Sequence, residues 1–339
     1  MFAKYNLSLR FLLSIVAFAL TLGCDPQDDS ESEIDGDTNQ NTGEETDSAS
    51  DRDSEDALFG GGDLPATLPL DMRTVELWFL DDGTQVVIPA YFESTGGVMI
   101  VGTADVEALR KLQRGMDDYS PVEASGRGLC FMWLFDYTSK SDLGAYKEVA
   151  FTHLAAPKGT PTDLDIDISS FESLMSNLRG MMSLNVINTA LWLNSDLGIA
   201  AGEQIWGHPK LKAEFDETSE WREDVEVRRV VTVTESQTGR QVIFADLSFS
   251  EERFSGLTFD PQEAVTTGTW GDTNGPHKFI TALGNVESIS MKPWDTGQDK
   301  LVLGHGTQQL DMLQELDFVP VGIMYYGGFD LFLGLPADL

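Results

Sequence analysis

The stretch "WLNSDLGIAAGEQIWGHPKLKA" (192–213) carries the reading of this chain. Trp192 to Asn194 close an apolar run, "NVINTALWLN", with the look of a strand. Ser195 is a helix cap residue, and a short helix is expected through Trp206. Gly207-His208-Pro209 then forms a turn, since proline fixes its own backbone and disfavours helix at the preceding residue. Beyond it stand Lys210 and Lys212, separated by Leu211. In extended backbone both lysines point to one face. Surface and ion-paired lysines greatly outnumber catalytic ones, so spacing alone reads the pair as exposed strand-end charges. A lysine becomes an imine-forming nucleophile only if its amine is partly neutral, through burial or a neighbouring cation. Lys212 is the candidate neighbour for Lys210.

Outward from this stretch, strand signals dominate. "TVELWFL" (74–80) and "QVVIPAYF" (85–92) flank Asp82-Gly83 and read as a hairpin. Further strands are expected at 97–102, 129–137, 145–154 and 185–194, and a second hairpin at 225–250. The end, 319–336, reads as a strand pair or one bent strand. Helical spacing marks 103–115, 169–182 and 307–316. Hairpin-linked strands with few helices imply an α+β, mainly antiparallel sheet, curved or closed into a barrel, with flanking helices. Regular strand–helix alternation is absent, which argues against a doubly wound parallel fold.

The N-terminus is a different material. Lys4 and Arg10 precede the apolar run "FLLSIVAFALTL" (11–22), an export signal too short to span a bilayer comfortably. Gly23-Cys24 resembles a bacterial lipobox, so residues 1–23 read as a lipoprotein signal peptide and Cys24 as the lipid attachment site. Residues 25–62 hold 14 acids and one base, Arg52. Such a segment cannot bury enough apolar surface to order itself. With Cys24, it reads as a disordered tether over 24–62, holding a domain at 63–339 on the order of tens of Å from a membrane. The location expected is the bacterial cell envelope, with the membrane touched through the lipid alone.

The chain has 339 residues and a net charge of −34. Its 63–339 part keeps 42 acidic against 19 basic residues. That balance argues against nucleic acid and against adhesion to anionic lipid. With Cys24 acylated, Cys130 is alone in "LCFMWLF", so no disulfide framework is expected. No phosphate loop, dinucleotide fingerprint, serine-hydrolase elbow or His-Glu-x-x-His is present. The four histidines lack ligand spacing, and "DLDID" (163–167) has Ile168 and Leu174 where a calcium loop needs Gly and Glu. No cofactor and no metal are implied.

The 192–213 stretch resembles the signature of acetoacetate decarboxylase-type proteins, in which a helix leads to a Gly-aromatic-Pro-Lys-Lys segment. "LGAYKEV" (143–149) resembles the family's Gly-Pro-Tyr-x-Glu strand, "IVGTADVEALRKL" (100–112) its early strand and helix, and "VPVGIMYYGGFDLFLGLP" (319–336) its closing strand. The resemblance runs from about residue 74 to 336. It implies a cone-like antiparallel β-barrel, often assembled into oligomers, with a pocket for a small carbonyl or keto-acid ligand. By position Lys210 matches the Schiff-base lysine, and Glu148 an acidic pocket residue that handles protons. The sequence departs from the family pattern at Leu211, which replaces the second lysine, and at Thr95, near which no pocket arginine stands. A pocket glutamate is missing from 129–133, and Ala145 replaces the proline. The reading is a lysine Schiff-base carboxy-lyase or related carbonyl lyase; the alternative is a non-catalytic binder that keeps the pocket.

Overall fold

The computed structural model describes residues 75–113, 116, 118–164, 167, 173, 185–222, 225–249, 254–255, 264–268, 277–284 and 288–338. The signal peptide, Cys24, the acidic tether and nearly all of the helix expected at 169–182 lie outside the described residues. No helix among the described residues is long and apolar enough to cross a membrane.

The first hairpin forms as expected. β1 (Glu76–Phe79) pairs antiparallel with β2 (Gln85–Ile88) around the turn at Asp81 to Thr84, where Gly83 adopts φ 84°. β2 ends where Pro89 has no N–H to donate. The chain then runs 15 residues as β3 (Ala90–Ala104), one strand where the sequence reads two segments. Its register slips between Ser94 and Gly96, so Thr95 sits exposed at an irregularity of the ladder.

α1 (Val106–Leu112) follows, with the Asp105 carboxylate accepting from the Ala108 N–H at 2.8 Å. β4 (Tyr119–Pro121) and β5 (Glu123–Ala124) lead to β6 (Arg127–Tyr137) and β7 (Tyr146–Pro157). Then come β8 (Asp163–Leu164), β9 (Asn185–Leu193) and α2 (Asp196–Ala201). α2 runs into a π-helical turn, Gly202–Trp206. The second half holds β10 (Lys210–Arg222), β11 (Val225–Glu235), β12 (Gln241–Ser248), β13 (Phe254–Ser255), β14 (Ala264–Gly268), β15 (His277–Gly284) and β16 (Ser288–Pro293). β17 (Lys300–Leu303), α3 (Gln308–Glu315), β18 (Val319–Tyr326) and β19 (Phe329–Asp338) complete it. The closing segment is therefore a strand pair.

β1 and β2 stand apart as a two-stranded sheet, and β3 to β19 build a curled, mainly antiparallel one. β3 lies between β6 and the β18–β19 pair, and β6, β7 and β9 follow in order, each antiparallel to the last. β9 makes parallel contacts with β10 at Leu191 to Leu193 and with β14 at Val186 to Asn188, and the short β5 and β8 also pair parallel. β10 to β12 continue as an antiparallel meander.

Side-chain alternation gives the sheet two apolar faces. On β6, Leu129, Phe131, Trp133 and Tyr137 join one cluster, and Cys130, Met132 and Leu134 join the other. α1 and α3 cover the second face through Leu109, Leu310 and Leu313. Ile205 and Trp206 of the π turn pack on the first. β6 and β7 are apolar nearly throughout because both faces are covered. Cys130 is fully buried, and burial pushes its thiol far above the usual range.

Candidate active site

Glu148 sits on β7 between Tyr146 and Ala150, on the aromatic face. Lys210 opens β10, where the parallel ladder sets it opposite Leu191 of β9. Glu148 lies opposite Leu193 on the same central strand. The two side chains meet across β9. Lys210 Nζ donates to Glu148 Oε2 at 2.9 Å, and the side chains are 6% and 8% exposed. The structure thus brings together the two residues singled out as nucleophile and proton carrier. The spacing-based reading of Lys210 as a surface charge is corrected, because β9 and the π turn cover it.

The turn that delivers Lys210 is built from backbone. Gly207 takes φ 68°, a conformation glycine adopts freely, and its N–H bonds the Gly202 carbonyl. The His208 N–H donates to the same carbonyl at 2.8 Å, and the Lys210 N–H donates to the His208 carbonyl at 2.8 Å. Gly202 also lies flat against the lysine: an added Cβ would stand 2.3 Å from Lys210 Cδ and 2.4 Å from Cε. A π turn widens the helix by one residue and recurs at functional sites. Here it lays Gly202 along the lysine stem.

Lys212 shares the face of Lys210, as the alternation requires, but its amine is engaged elsewhere. It donates to Asp196 Oδ1 at 2.8 Å and to the Asn194 carbonyl at 3.0 Å, with the side chain 37% exposed. Its charge is met by its own carboxylate at the helix N-terminus. Leu211 points to the opposite face, against the second cluster.

Several residues that sequence reasoning did not single out surround the pair. Tyr137 and Tyr146 lie opposite each other in register, ring centroids 4.7 Å apart, and both are buried. Burial, reinforced by the Glu148 charge, pushes both phenols well above their ordinary value, so they stay protonated donors. Phe92, Trp133, Phe135 and Phe329 extend the aromatic wall. His208 is buried, with Nε2 3.2 Å from Asn188 Nδ2. Burial, with the Lys210 charge behind it, holds its imidazole well below the usual range and hence neutral. Glu203, on the π turn beside Gly202, has its carboxyl raised by burial, against the opposing pull of Lys210. The signal that could have found the tyrosines is alternation: Tyr146 and Glu148 are two apart on one strand.

Among the described residues no group of three His, Cys, Asp or Glu side chains is placed to hold a metal ion. No family model and no curated protein matches the sequence. Solved structures do. An acetoacetate decarboxylase from Legionella pneumophila is similar at 14% identity and a TM-score of 0.49, over 86% of this chain and 98% of that one. An acetoacetate decarboxylase-like enzyme from Sphingomonas wittichii matches at 12% and 0.47, over 74% and 92%. The chain resembles the acetoacetate decarboxylase-like enzymes. The enduracididine biosynthesis enzyme MppR, with HEPES buffer bound, is also similar, at 11% identity and 0.49 over 74% and 87%. The acetoacetate-decarboxylase-like likeness is one of fold; the site stands on the distances given above.

Proposed function

We propose that this chain is a lipid-anchored protein of the bacterial envelope whose 63–339 domain closes as a cone-shaped barrel and uses Lys210 for imine chemistry. Cys24 carries the lipid, and residues 24–62 serve as the acidic tether. The reaction is that of a carboxy-lyase or a related carbonyl lyase. One observation carries the reading: a lysine amine and a carboxylate 2.9 Å apart, both shielded, under an aromatic wall. Buried charges are rare unless they are paired or functional, and this pair sits where the sequence resemblance places a nucleophile and its proton carrier.

The chemistry follows from the geometry. Glu148 takes a proton from the Lys210 ammonium, and the freed amine adds to the substrate carbonyl carbon. Glu148 returns that proton to the carbinolamine oxygen, which leaves as water, and a protonated imine remains. The imine draws in the electron pair of the neighbouring C–C bond as that bond breaks, giving an enamine. Protonation at carbon and hydrolysis release the product and restore the lysine.

A second reading is a non-catalytic binder of a small carbonyl compound. It is favoured by the completeness of the ion pair, in which each charge already meets its partner, as in a purely structural bridge. The test is turnover. Small β-keto acids and β-hydroxy carbonyl compounds are incubated with the purified domain, and carbon dioxide or the cleaved carbonyl product is followed. Product formed by the wild type and abolished by Lys210→Arg supports the enzyme. Saturable binding without product supports the binder.

A further inference from the structure

We infer that this site selects an uncharged carbonyl compound bearing a second oxygen function, and disfavours keto acids. The inference rests on the imine reading of Lys210 and narrows it to the branch other than keto-acid decarboxylation. Two independent observations carry it.

The first is charge. Beside the Lys210 amine stands one carboxylate, that of Glu148, bonded to it directly. Glu203, on the π turn whose first residue, Gly202, packs against the lysine stem, is itself exposed. Thr95, where a carboxylate-binding arginine is expected, is an exposed residue at a ladder irregularity. Lys212 is paired with Asp196. A substrate carboxylate entering here meets the Glu148 carboxylate and one cationic nitrogen, that of Lys210, whose charge Glu148 already offsets. Charge repulsion at several Å in a partly desolvated site is worth more than a factor of ten.

The second is a pair of unused donors. Tyr146 is two residues from Glu148 on the same strand face, and Tyr137 faces Tyr146 across the ladder. Both residues are at least nine-tenths buried, no hydrogen bond ties either hydroxyl to another described residue, and each hydroxyl oxygen keeps some exposure. Such a hydroxyl is free to donate to a ligand. Two such donors beside the reacting pair fit an acceptor oxygen on the ligand, set apart from the carbonyl that Lys210 attacks. The neutral aromatic wall around them favours a flat, uncharged body.

The test uses three aldehydes of one size. They are benzaldehydes with a para hydroxymethyl, a para ethyl or a para carboxylate group. Each is incubated with the protein, reduced with borohydride, and the Lys210 adduct quantified against the same reaction on Nα-acetyl-lysine. The hydroxymethyl compound should exceed the carboxylate by about tenfold or more after that normalisation. It should exceed the ethyl compound several-fold, and Tyr137→Phe and Tyr146→Phe should each lower the hydroxymethyl-to-ethyl ratio measured within the same variant. Equal labelling by all three, or preference for the carboxylate, overturns this inference and leaves the imine reading standing. Labelling of Lys210 by none of them overturns both. Thermal melts of the two variants show whether each is folded; each loses only one oxygen, and a variant that fails to fold leaves the wild-type ranking to decide.

Discussion

Gly202 and Lys210 occupy one volume: the glycine has no side chain where the lysine stem runs, and a Cβ there would come within 2.3 Å of it. The neighbour that must yield is the far part of a flexible side chain. Gly202→Ala should therefore displace the lysine stem and part the amine from Glu148, leaving a shielded carboxylate without its counter-ion at a cost of about 3 kcal/mol. The expected result is loss of Lys210 reactivity of at least tenfold together with a lowered melting temperature. Unchanged reactivity would show that the stem makes room for the methyl without leaving Glu148.

Glu148 balances the only charge Lys210 brings inside. Glu148→Gln keeps shape and removes charge, leaving a buried ammonium without its counter-ion. The cost expected is about 3–5 kcal/mol in denaturant unfolding. Replacing both partners, Lys210→Met with Glu148→Leu, should cost less than Glu148→Gln alone, because no uncompensated charge remains. A single-variant cost under about half a kcal/mol would show an exposed pair, as at an ordinary surface bridge.

His153 makes stability fall with acid. It is fully buried, with Nε2 3.0 Å from Gln113 Nε2 and Nδ1 3.0 Å from Thr189 Oγ1, and burial lowers it from 6.5 to about 3. The unfolded chain binds a proton below pH 6.5 that the folded chain refuses until about pH 3. The stability contribution is thus present above pH 6.5 and is lost progressively as pH falls toward 3, by about 2 kcal/mol at pH 5. His208 acts in the same direction. Asp142, raised to about 6 by burial, acts in the opposite one between 6 and 3.8. Comparing wild type with His153→Gln isolates the histidine: the gap between their unfolding free energies should narrow by about 2 kcal/mol from pH 7.5 to pH 5.

The proposed envelope location rests on Cys24. Cys24→Ala should move the protein from the membrane fraction to the soluble exported fraction and abolish labelling by a palmitate analogue. Unchanged membrane attachment would refute acylation there.

The sequence made the sheet legible because its cues are local. Asp82-Gly83 marked the first turn, Asp105, Ser195 and Thr307 cap α1, α2 and α3, and 129–137 and 185–194 became β6 and β9 within a few residues. What it hid depended on partners far along the chain. β10 runs 13 residues to Arg222 because β11 pairs with it, although "EFDETSEWR" is too polar to announce a strand. β3 continues through Gly96 and Gly97, which look like a break, because Phe135 and Phe329 pack over Gly97 while Gly96 lies against the backbone of Tyr326 and Gly327. The site was half legible for the same reason. Lys210 and Glu148 are readable from motif position. That Lys212 turns to Asp196, and that Gly202 yields its side-chain space to Lys210, follows from a π turn that no periodicity marks.

The central claim is that one shielded amine, that of Lys210, forms imines. The direct measurement is borohydride reduction of the intact domain with a small aldehyde at limiting concentration, followed by peptide mapping of every lysine. The account expects the adduct to concentrate on Lys210, to disappear in Lys210→Arg and to fall at least tenfold in Glu148→Gln. Adducts spread over exposed lysines such as Lys140 and Lys212, with Lys210 unlabelled, would contradict it.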